Sequence, residues 1–343
     1  MTTPESDFEE IYRASKNEFF LNKTTLLLGG SGFLGSMFKQ YFLLLYKRGL
    51  NCNVISVDNY VGRIKPREIE CANLIHIEHD LTVPLGLKLH GYKIDYIINC
   101  AGNASPSSYE RFPLETMDIS YTGTKHLLEL AINQGAEIVN FSSSEVIGTP
   151  DAKDIPTSEE VLPRIHSQNK RAPYDVTKVA IETLSWVFRE KYGAKVKVIR
   201  PFNVIGYFRQ DDFRVVSCFM DKMLRNQKLQ VFEPGTQTRT FCFYTDFLIG
   251  VIKVLTEGKN LLYNIGNSDN EISMVDFAHL VERVCGKDNL VEVVPTPEVY
   301  KHEPQRRCPS IEKAKWELGY SPKVNIEDAI RRIYSWAKVN YTY

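Results

Sequence analysis

The chain has 343 residues, 42 basic and 42 acidic side chains, and an apolar fraction of 43%. This length predicts two domains, or one large α/β domain with an appended lobe. Zero formal net charge excludes nucleic acid or an anionic membrane as the main partner, because both are bound through clustered basic residues. The seven cysteines are scattered and never spaced Cys-x-x-Cys, so we expect reduced thiols in a cytoplasmic protein, with neither a metal site nor a disulfide framework.

Residues 1–22 are predicted to form an N-terminal extension. The segment Met1–Lys16 is acidic and lacks an apolar core, so we expect no secretory signal. Phe8, Ile11 and Tyr12 lie at helical spacing, which predicts a short amphipathic helix packed on the body of the protein. No apolar run approaches the roughly 20 residues that a membrane span requires.

Between residues 23 and 200, short apolar runs rich in β-branched residues alternate with longer helical patterns. This alternation is typical of βαβ units and predicts a parallel sheet. We expect a doubly wound α/β domain over 23–200, joined by a helix near 244–257. The predicted strands are Thr24–Leu28, Asn53–Val57, Leu74–Glu78, Tyr96–Cys100, Glu137–Ser142 and Val196–Ile199, and the predicted helices are Gly32–Tyr46, Leu114–Gln134 and Pro173–Tyr192.

After residue 200 the pattern loosens, which predicts a smaller α/β lobe for the substrate, built from 201–243 and 258–343. The segment Thr149–Ala172 is the one long loop expected, and loops of that length are usually functional or disordered. The expected elements of the lobe and its neighbourhood are extended pieces at Leu229–Phe232 and Leu261–Ile265, and helices at Val216–Arg225, Tyr244–Leu255, Met274–Cys285 and Ile326–Lys338.

A glycine-rich turn, Gly29-Gly-Ser-Gly32-Phe-Leu-Gly35, follows the first predicted strand directly. Glycines at this position permit a tight turn and close backbone approach, so a pyrophosphate can lie at the N-terminus of the next helix. Asp58 ends the second strand, where a carboxylate accepts hydrogen bonds from an adenosine ribose and repels a 2′-phosphate. This favours NAD, whereas Arg63 would favour NADP; a plain turn with Asp58 as a strand-end cap is the alternative. We therefore expect residues 23–200 and the helix near 244–257 to form a Rossmann-type domain that binds NAD.

Further cofactor contacts are expected at the ends of the neighbouring strands. Asp80 and Leu81 follow the third strand and are candidates to meet the adenine, although an exposed turn carboxylate is an equally good interpretation of Asp80. The segment Asn99-Cys-Ala-Gly102 ends the strand expected beneath the cofactor. The full candidate cofactor set is Gly29, Ser31, Gly32, Phe33, Leu34, Gly35, Asp58, Asn59, Asp80, Leu81, Ala101, Gly102, Tyr174 and Lys178.

The sequence Tyr174-Asp-Val-Thr-Lys178 places a phenol and an ammonium on one face of a helix. An ammonium and a cationic nicotinamide favour phenolate, so we expect the pKa of Tyr174 to fall from about 10 towards working pH. Such a tyrosine can act as a base. This spacing alone is also that of an ordinary helix surface; the upstream segment Phe141-Ser-Ser-Ser-Glu145-Val-Ile-Gly148 and the glycine turn favour the catalytic interpretation.

Together these motifs resemble the extended short-chain dehydrogenase/reductase superfamily over about residues 23–338. Within it the chain is most similar to UDP-glucuronate decarboxylases, followed by nucleotide-sugar 4,6-dehydratases. The segments that carry this finer resemblance are Ala104-Ser-Pro-Ser-Ser-Tyr109 with Gly123-Thr124, Arg214-Val-Val-Ser217, Gly235-Thr-Gln-Thr-Arg239, and Glu303-Pro-Gln-Arg-Arg307 followed by Pro309-Ser-Ile and Leu318-Gly-Tyr.

The resemblance implies roles for individual residues. Ser143 would bind the sugar C4 hydroxyl and Tyr174 would remove its proton, while hydride passes to NAD. Lys178 would bind the nicotinamide ribose, and Glu145 would serve proton chemistry at C5. It also implies a homodimer, formed by a four-helix bundle from Leu114–Gln134 and the tyrosine helix. The candidate catalytic residues are Ser143, Ser144, Glu145, Tyr174 and Lys178, and the candidate substrate residues are Ser105, Tyr109, Asn203, Arg214, Val215, Arg239 and Arg307.

Departures from the decarboxylase pattern leave several reactions open. Leu28 and Ile147 replace residues usual in the family, and 149–168 differs from its version in the decarboxylases, yet no reacting group is lost. Ser144 stands where many dehydratases place an aspartic acid, and serine is a poor acid, which favours decarboxylation of a nucleotide hexuronate. The alternatives are 4,6-dehydration or 4-epimerisation of a nucleotide hexose, a non-catalytic dinucleotide-binding protein, and a one-way ketoreductase.

Overall fold

A parallel sheet forms the centre of the part of the chain that the computed structural model describes, namely residues 4–61, 65, 69–209, 212, 214–297 and 304–342. Within these ranges its seven strands are β1 Lys23–Leu28, β2 Cys52–Asp58, β3 Leu74–Glu78, β4 Tyr96–Asn99, β5 Glu137–Phe141, β6 Lys195–Pro201 and β11 Leu262–Ile265. They are all parallel and lie in the order β11-β6-β5-β4-β1-β2-β3. The predicted fold class is confirmed.

Both faces of the sheet are covered by helices, so the central strands are continuous apolar runs. Successive side chains of a strand point to opposite faces, and those of β1 divide accordingly. Leu27 packs in the core beneath helix α2 (Phe33–Lys47) and helix α8 (Tyr244–Glu257), whereas Leu26 and Leu28 pack in a second core. Helices α5 (Thr124–Gln134) and α6 (Ala172–Tyr192) cover that second core.

The predicted elements of the first 200 residues match the structure within a few residues, with one break. The single helix expected over Leu114–Gln134 is divided into α4 (Pro113–Asp118), a π-helical turn (Ile119–Gly123) and α5. A short helix that the sequence pattern did not predict, α3 (Pro106–Arg111), precedes α4. Pro106 and Pro113 stand at the first turns of α3 and α4, where proline is favoured.

The second half of the described chain builds small sheets beside the carboxyl ends of the main sheet. They pair β10 with β7, β13 with β8, and β12, β9 and β14 with one another. The strands are β7 Val204–Ile205, β8 Leu229–Phe232, β9 Thr238–Thr240, β10 Cys242–Phe243, β12 Glu271–Ser273, β13 Val291–Val294 and β14 Arg306–Arg307, and the helices are α7 Val215–Leu224, α9 Met274–Cys285, α10 Glu312–Leu318 and α11 Ile326–Asn340.

The assignment of residues 262–265 to the smaller lobe was wrong. This strand, β11, pairs in parallel with β6 and forms the edge of the main sheet. Tyr263 and Ile265 are fully buried there, which explains why the strand joins the large core. The lobe segment 202–243 separates β6 from its crossover helix α8, so the βαβ pattern was hidden in the sequence.

The N-terminal extension contains the predicted helix, α1 (Glu5–Ala14), with Phe8 and Ile11 buried in the core beneath α2 and α8. The expected loop 149–172 is largely irregular and is held to the edge of the main sheet. Thr157 N donates to Cys308 O at 2.8 Å, and Asn264 N donates to the Glu159 carboxylate at 2.8 Å. Among the described residues, no helix combines the length and the apolar character needed to cross a membrane.

Candidate active site

The glycine turn lies where the strand order of the sheet reverses, between β1 and β4. Such a switch point leaves a crevice outside the carboxyl ends of the strands. Gly29 has φ +69°, and a Cβ added to it would come within 2.9 Å of the Ala101 backbone after β4. Glycine therefore lets the two loops close the floor of this crevice, and α2 begins just above it.

Asp58 ends β2 and holds the turn from the side. Its carboxylate accepts hydrogen bonds from Ser31 N at 2.8 Å and from Tyr60 N at 2.9 Å. The backbone N–H groups at the start of α2 and the glycine surface, which carries no side chains, suit a pyrophosphate there. The Asp58 carboxylate suits a ribose beside it. The residues present thus fit a dinucleotide; Arg63, the candidate determinant for NADP, lies outside the described residues.

The other candidate cofactor residues are spread around this crevice. Asp80 is exposed and accepts two hydrogen bonds from Thr82 of its own turn, at 2.9 Å each, which agrees with the interpretation as a turn carboxylate. Leu81 is buried and contacts the π-helical turn through Gly123. Phe33 and Leu34 are half-buried at the start of α2, and Asn59 accepts from Val61 N at 3.3 Å.

Ser143, Tyr174 and Lys178 are brought together above β5. The Ser143 hydroxyl is hydrogen-bonded to Tyr174, and the Lys178 Nζ lies 5.4 Å from the centre of the Tyr174 ring. Lys178 donates to Phe141 O at 2.8 Å, which anchors it at the end of β5. Tyr109 stacks on Tyr174 with 5.3 Å between ring centres and 23° between planes. The phenol is thus enclosed beside the hydroxyl predicted to bind substrate.

Burial dominates the proton affinities of this group. It raises the pKa of Tyr174 to about 12 and lowers the pKa of Lys178 to about 8. Both groups lose water in the protein without cofactor, so the charged form of each is disfavoured. The hydrogen bond from Ser143 acts in the opposite direction but is the smaller effect. The expectation that Lys178 together with a cationic nicotinamide lowers the pKa of the phenol stays a prediction for the NAD-loaded protein.

Glu145 lies between two arginines at the mouth of the same site. Its carboxylate forms ion pairs with Arg171, at 2.5 Å, and with Arg307. Burial disfavours the charged form, yet the two guanidinium groups outweigh it and hold the pKa of Glu145 below its usual value. Glu145 is therefore a carboxylate at neutral pH, able to accept a proton. Ser144 beside it is buried.

The remaining candidate substrate residues belong to the second half of the chain and to the loop after β4. Arg239 and Arg307 are register partners on β9 and β14, so they emerge side by side. Asn203, with φ +37°, donates to Thr240 O at 2.9 Å. Ser105 shares a hydrogen bond of 2.8 Å with Ser108 at the start of α3, and Arg214 with Val215 begins α7.

Sequence reasoning missed Arg171 as a partner of Glu145 and missed the pair Glu182 and Arg200. Glu182 lies eight residues after Tyr174, on the same helix face as Lys178, and that spacing was an available signal. Arg200 donates to both oxygens of Glu182 at 2.8 Å, and Ser142 donates to the same carboxylate at 2.6 Å. The pair therefore ties the tyrosine helix to the strand end that precedes Ser143.

Replacing Glu182 with glutamine is expected to lower the free energy of unfolding by about 3 kcal/mol, because the buried Arg200 charge loses its partner. Urea denaturation measures this loss. The control is Glu312→Gln, which removes an exposed pair with Lys315 and is expected to change stability by less than about 0.5 kcal/mol. Equal effects of the two changes would show that the pair contributes no special stability.

The fold and this site define an NAD-binding enzyme of the short-chain dehydrogenase/reductase class. Residues 25–266 match the NAD dependent epimerase/dehydratase family, and the chain belongs to that family. The resemblance found in the sequence is thereby confirmed.

Individual relatives agree with this assignment. UDP-glucuronic acid decarboxylase 6 of Arabidopsis thaliana is 33% identical over 317 residues, covering 91% of this chain and 88% of the relative. The structure of UDP-glucuronic acid 4-epimerase from Bacillus cereus with UDP-glucuronic acid and NAD is 25% identical, with a TM-score of 0.79 over 93% of this chain and 100% of that one. The NAD-bound dTDP-glucose 4,6-dehydratase from Streptomyces venezuelae shares the fold, at 23% identity and a TM-score of 0.80, over 92% of this chain and 97% of that one.

Proposed function

We propose that this protein decarboxylates UDP-glucuronate. The observation that carries the proposal is the pairing of Glu145 with Arg171 and Arg307 beside Ser144. Two guanidinium groups suit a substrate carboxylate at C6. We propose that Arg307 leaves its ion pair with Glu145 and pairs with this carboxylate when the substrate binds. Dehydration needs an acid to protonate the leaving hydroxyl, and Ser144 is a poor acid. The similarity to the Arabidopsis decarboxylase supports the same choice.

The proposed chemistry begins with the C4 hydroxyl of the sugar. Ser143 orients this hydroxyl and Tyr174 takes its proton, which requires the phenolate form. Residues 29–35, Asp58 and Lys178 would hold NAD, which would supply a reversible acceptor for the hydride of C4. The C4 ketone turns the C6 carboxylate into a β-keto acid, whose C5–C6 bond breaks to release CO2. C5 then gains one proton from the bulk solvent, which is relayed through the Glu145 carboxyl group, and Tyr174 returns its proton as C4 is reduced.

The proposed binding roles extend those that the family resemblance implies. Arg214 and Arg239 are assigned to the substrate diphosphate, with Asn203, Ser105, Tyr109 and Val215 beside the sugar and nucleotide. Lys178 and Asp58 are assigned to the two riboses of NAD, and the turn 29–35 to its pyrophosphate. Asp80 and Leu81 are assigned to the adenine of NAD. Ala101 and Gly102 are assigned to the floor of the crevice that holds NAD.

The first alternative is a nucleotide-sugar 4,6-dehydratase, and the second is a 4-epimerase. Of these two, Glu145 favours the dehydratase because a carboxylate can take the C5 proton. Incubation of the NAD-loaded protein with a panel of UDP, GDP, dTDP and CDP sugars separates the reactions by mass. The proposal predicts loss of CO2 from UDP-glucuronate. Loss of water from another sugar, with no turnover of UDP-glucuronate, would overturn it.

We also propose that the protein is a homodimer. Support comes from exposed apolar side chains on the neighbouring helices that the resemblance pairs between subunits: Leu114 is 71% exposed and Tyr121 is 47% exposed, and Val176 on α6 adds to them. Such a patch is costly in water and is usually covered. We further propose a cytoplasmic location, because seven free cysteines are typical of a reducing compartment.

Tyr121→Glu is expected to convert the dimer into a monomer, because a carboxylate would be buried without a partner in the apolar interface. Sedimentation velocity measures the change in mass. Tyr46→Glu, at an exposed tyrosine on α2, is the matched control and is expected to leave the dimer intact. A wild-type protein that sediments as a monomer would contradict the proposal.

A further inference from the structure

Asp7, on the N-terminal helix α1, is a buried carboxylate to which the proposed reaction gives no role. It is 2% exposed. One oxygen accepts hydrogen bonds from the phenols of Tyr207, at 2.7 Å, and Tyr244, at 3.0 Å, and the other accepts from Arg332 at 3.1 Å. An N-terminal extension that only covered apolar surface would not need a buried charge, because desolvating a carboxylate is costly.

The three donors come from three different parts of the chain. Tyr207 follows β7, Tyr244 begins α8, and Arg332 lies on α11, where it also pairs with Glu10 at 2.9 Å. The side chain of Asp7 therefore joins the extension to the segment that leaves the main sheet and to the helix that returns to it.

The segment around Tyr207 reaches the proposed binding site within one residue. The centres of the Phe208 and Phe33 rings lie 4.3 Å apart. Phe33 belongs to the glycine turn and is the first residue of α2. The guanidinium of Arg214 lies 4.7 Å from the centre of the Phe208 ring and 5.8 Å from that of Phe33. Cations are attracted to aromatic faces, so these two rings contribute to the position of Arg214 together with the Asp212 carboxylate, which lies 3.5 Å from its Nε.

The same segment has little freedom to shift. A Cβ added at Gly206 would lie 2.7 Å from the Phe33 ring and 2.9 Å from the Tyr244 ring, so the backbone there is packed directly between the two rings. Tyr207 points to Asp7 on one side, while Phe208 contacts Phe33. A change in the contact with Asp7 is thus transmitted to Phe208.

We propose that Asp7 is a positioning residue, which fixes Tyr207 and Phe208 and thereby holds Arg214 in place for the diphosphate of the nucleotide sugar. The N-terminal extension then sets the affinity for substrate without touching it. This inference rests on the proposed function, since that function assigns Arg214 to the diphosphate. It does not depend on which reaction occurs at the sugar.

Two phenol variants separate positioning from simple stabilisation. Tyr207→Phe and Tyr244→Phe each remove one hydrogen bond to Asp7, so both are expected to lower the melting temperature by similar amounts. Only Tyr207→Phe breaks the connection to Phe208. We expect it to weaken UDP binding about fivefold, a part of what a hydrogen bond to a charged group contributes. KM for the nucleotide sugar should rise equally with kcat unchanged, whereas Tyr244→Phe should alter neither.

The affinities are measured by calorimetry on the full, NAD-loaded chain, with UDP, GDP and dTDP as probes. Asp7→Asn should reproduce the effect of Tyr207→Phe on nucleotide affinity. The double variant Asp7→Asn/Tyr207→Phe should bind the nucleotides no more weakly than either of its single variants. The inference is overturned if Tyr207→Phe binds as the wild type does, if Tyr244→Phe weakens binding equally, or if the wild type binds none of the three. Binding of one of them without turnover of UDP-glucuronate refutes only the proposed decarboxylation, and the variants still decide the role of Asp7.

Discussion

Replacing Tyr174 with phenylalanine is expected to lower kcat about a thousandfold, as the loss of a general base typically does. The change removes only the hydroxyl, so the ring can keep its stacking on Tyr109 and nucleotide binding should persist. Because burial raises the pKa of Tyr174 to about 12, the phenolate fraction grows with pH. In the wild type the rate should therefore rise from neutral towards alkaline pH. Single-turnover measurements of NADH formation follow the first oxidation directly.

Tyr192→Phe is the matched control for this experiment. Tyr192 is 53% exposed at the end of the same helix and should tolerate the change without loss of rate. A Tyr174→Phe protein that still forms NADH at the wild-type rate would show that a group other than Tyr174 removes the C4 proton.

Replacing Glu145 with glutamine is expected to lower kcat about a hundredfold, because an amide cannot accept a proton. The substitution also leaves Arg171 and Arg307 without their shared counter-charge. Since the pKa of Glu145 is lowered in the folded state, its ion pairs stabilise the fold above the unfolded-state pKa and lose this effect as the pH falls through the lower, folded-state value. The variant should therefore lose stability at neutral pH and show a smaller difference from the wild type in acid.

Glu160→Gln controls for the loss of a charge near the loop 149–172. Its side chain is 84% exposed and pairs with Lys313 at 3.3 Å, so neither rate nor stability should change. If Glu145→Gln kept the wild-type kcat, Glu145 would serve only to hold the two arginines, and the proton at C5 would have to come directly from solvent without a relay.

Local signals were enough to predict the nucleotide-binding half of the fold. The glycine turn, Asp58 and the alternating apolar runs each report on neighbours close in sequence, and their positions in the structure match. The three strand-to-helix units within residues 23–200 could therefore be predicted from the sequence. The break of the helix at Ile119–Gly123 was not predictable, since its residues continue the helical pattern.

Contacts between distant segments could not be predicted. Nothing near Glu145 in the sequence indicates that Arg307 pairs with it, and Asp7 gives no hint of Tyr207, because such pairs depend on how β14 and α1 pack against the sheet. Burial likewise is the largest influence on the pKa of Tyr174, and it raises that pKa. Spacing along a helix indicates which groups meet, but it does not reveal how much water they lose.

The most direct measurement of the central claim uses UDP-glucuronate labelled isotopically at C6. The NAD-loaded protein is incubated with it, and both the gas and the nucleotide products are analysed for the label. The account predicts that all label lost from the nucleotide appears in CO2, together with an unlabelled UDP-pentose and no net gain of NADH. A nucleotide product that keeps the label at C6, whether dehydrated or inverted at C4, would contradict it.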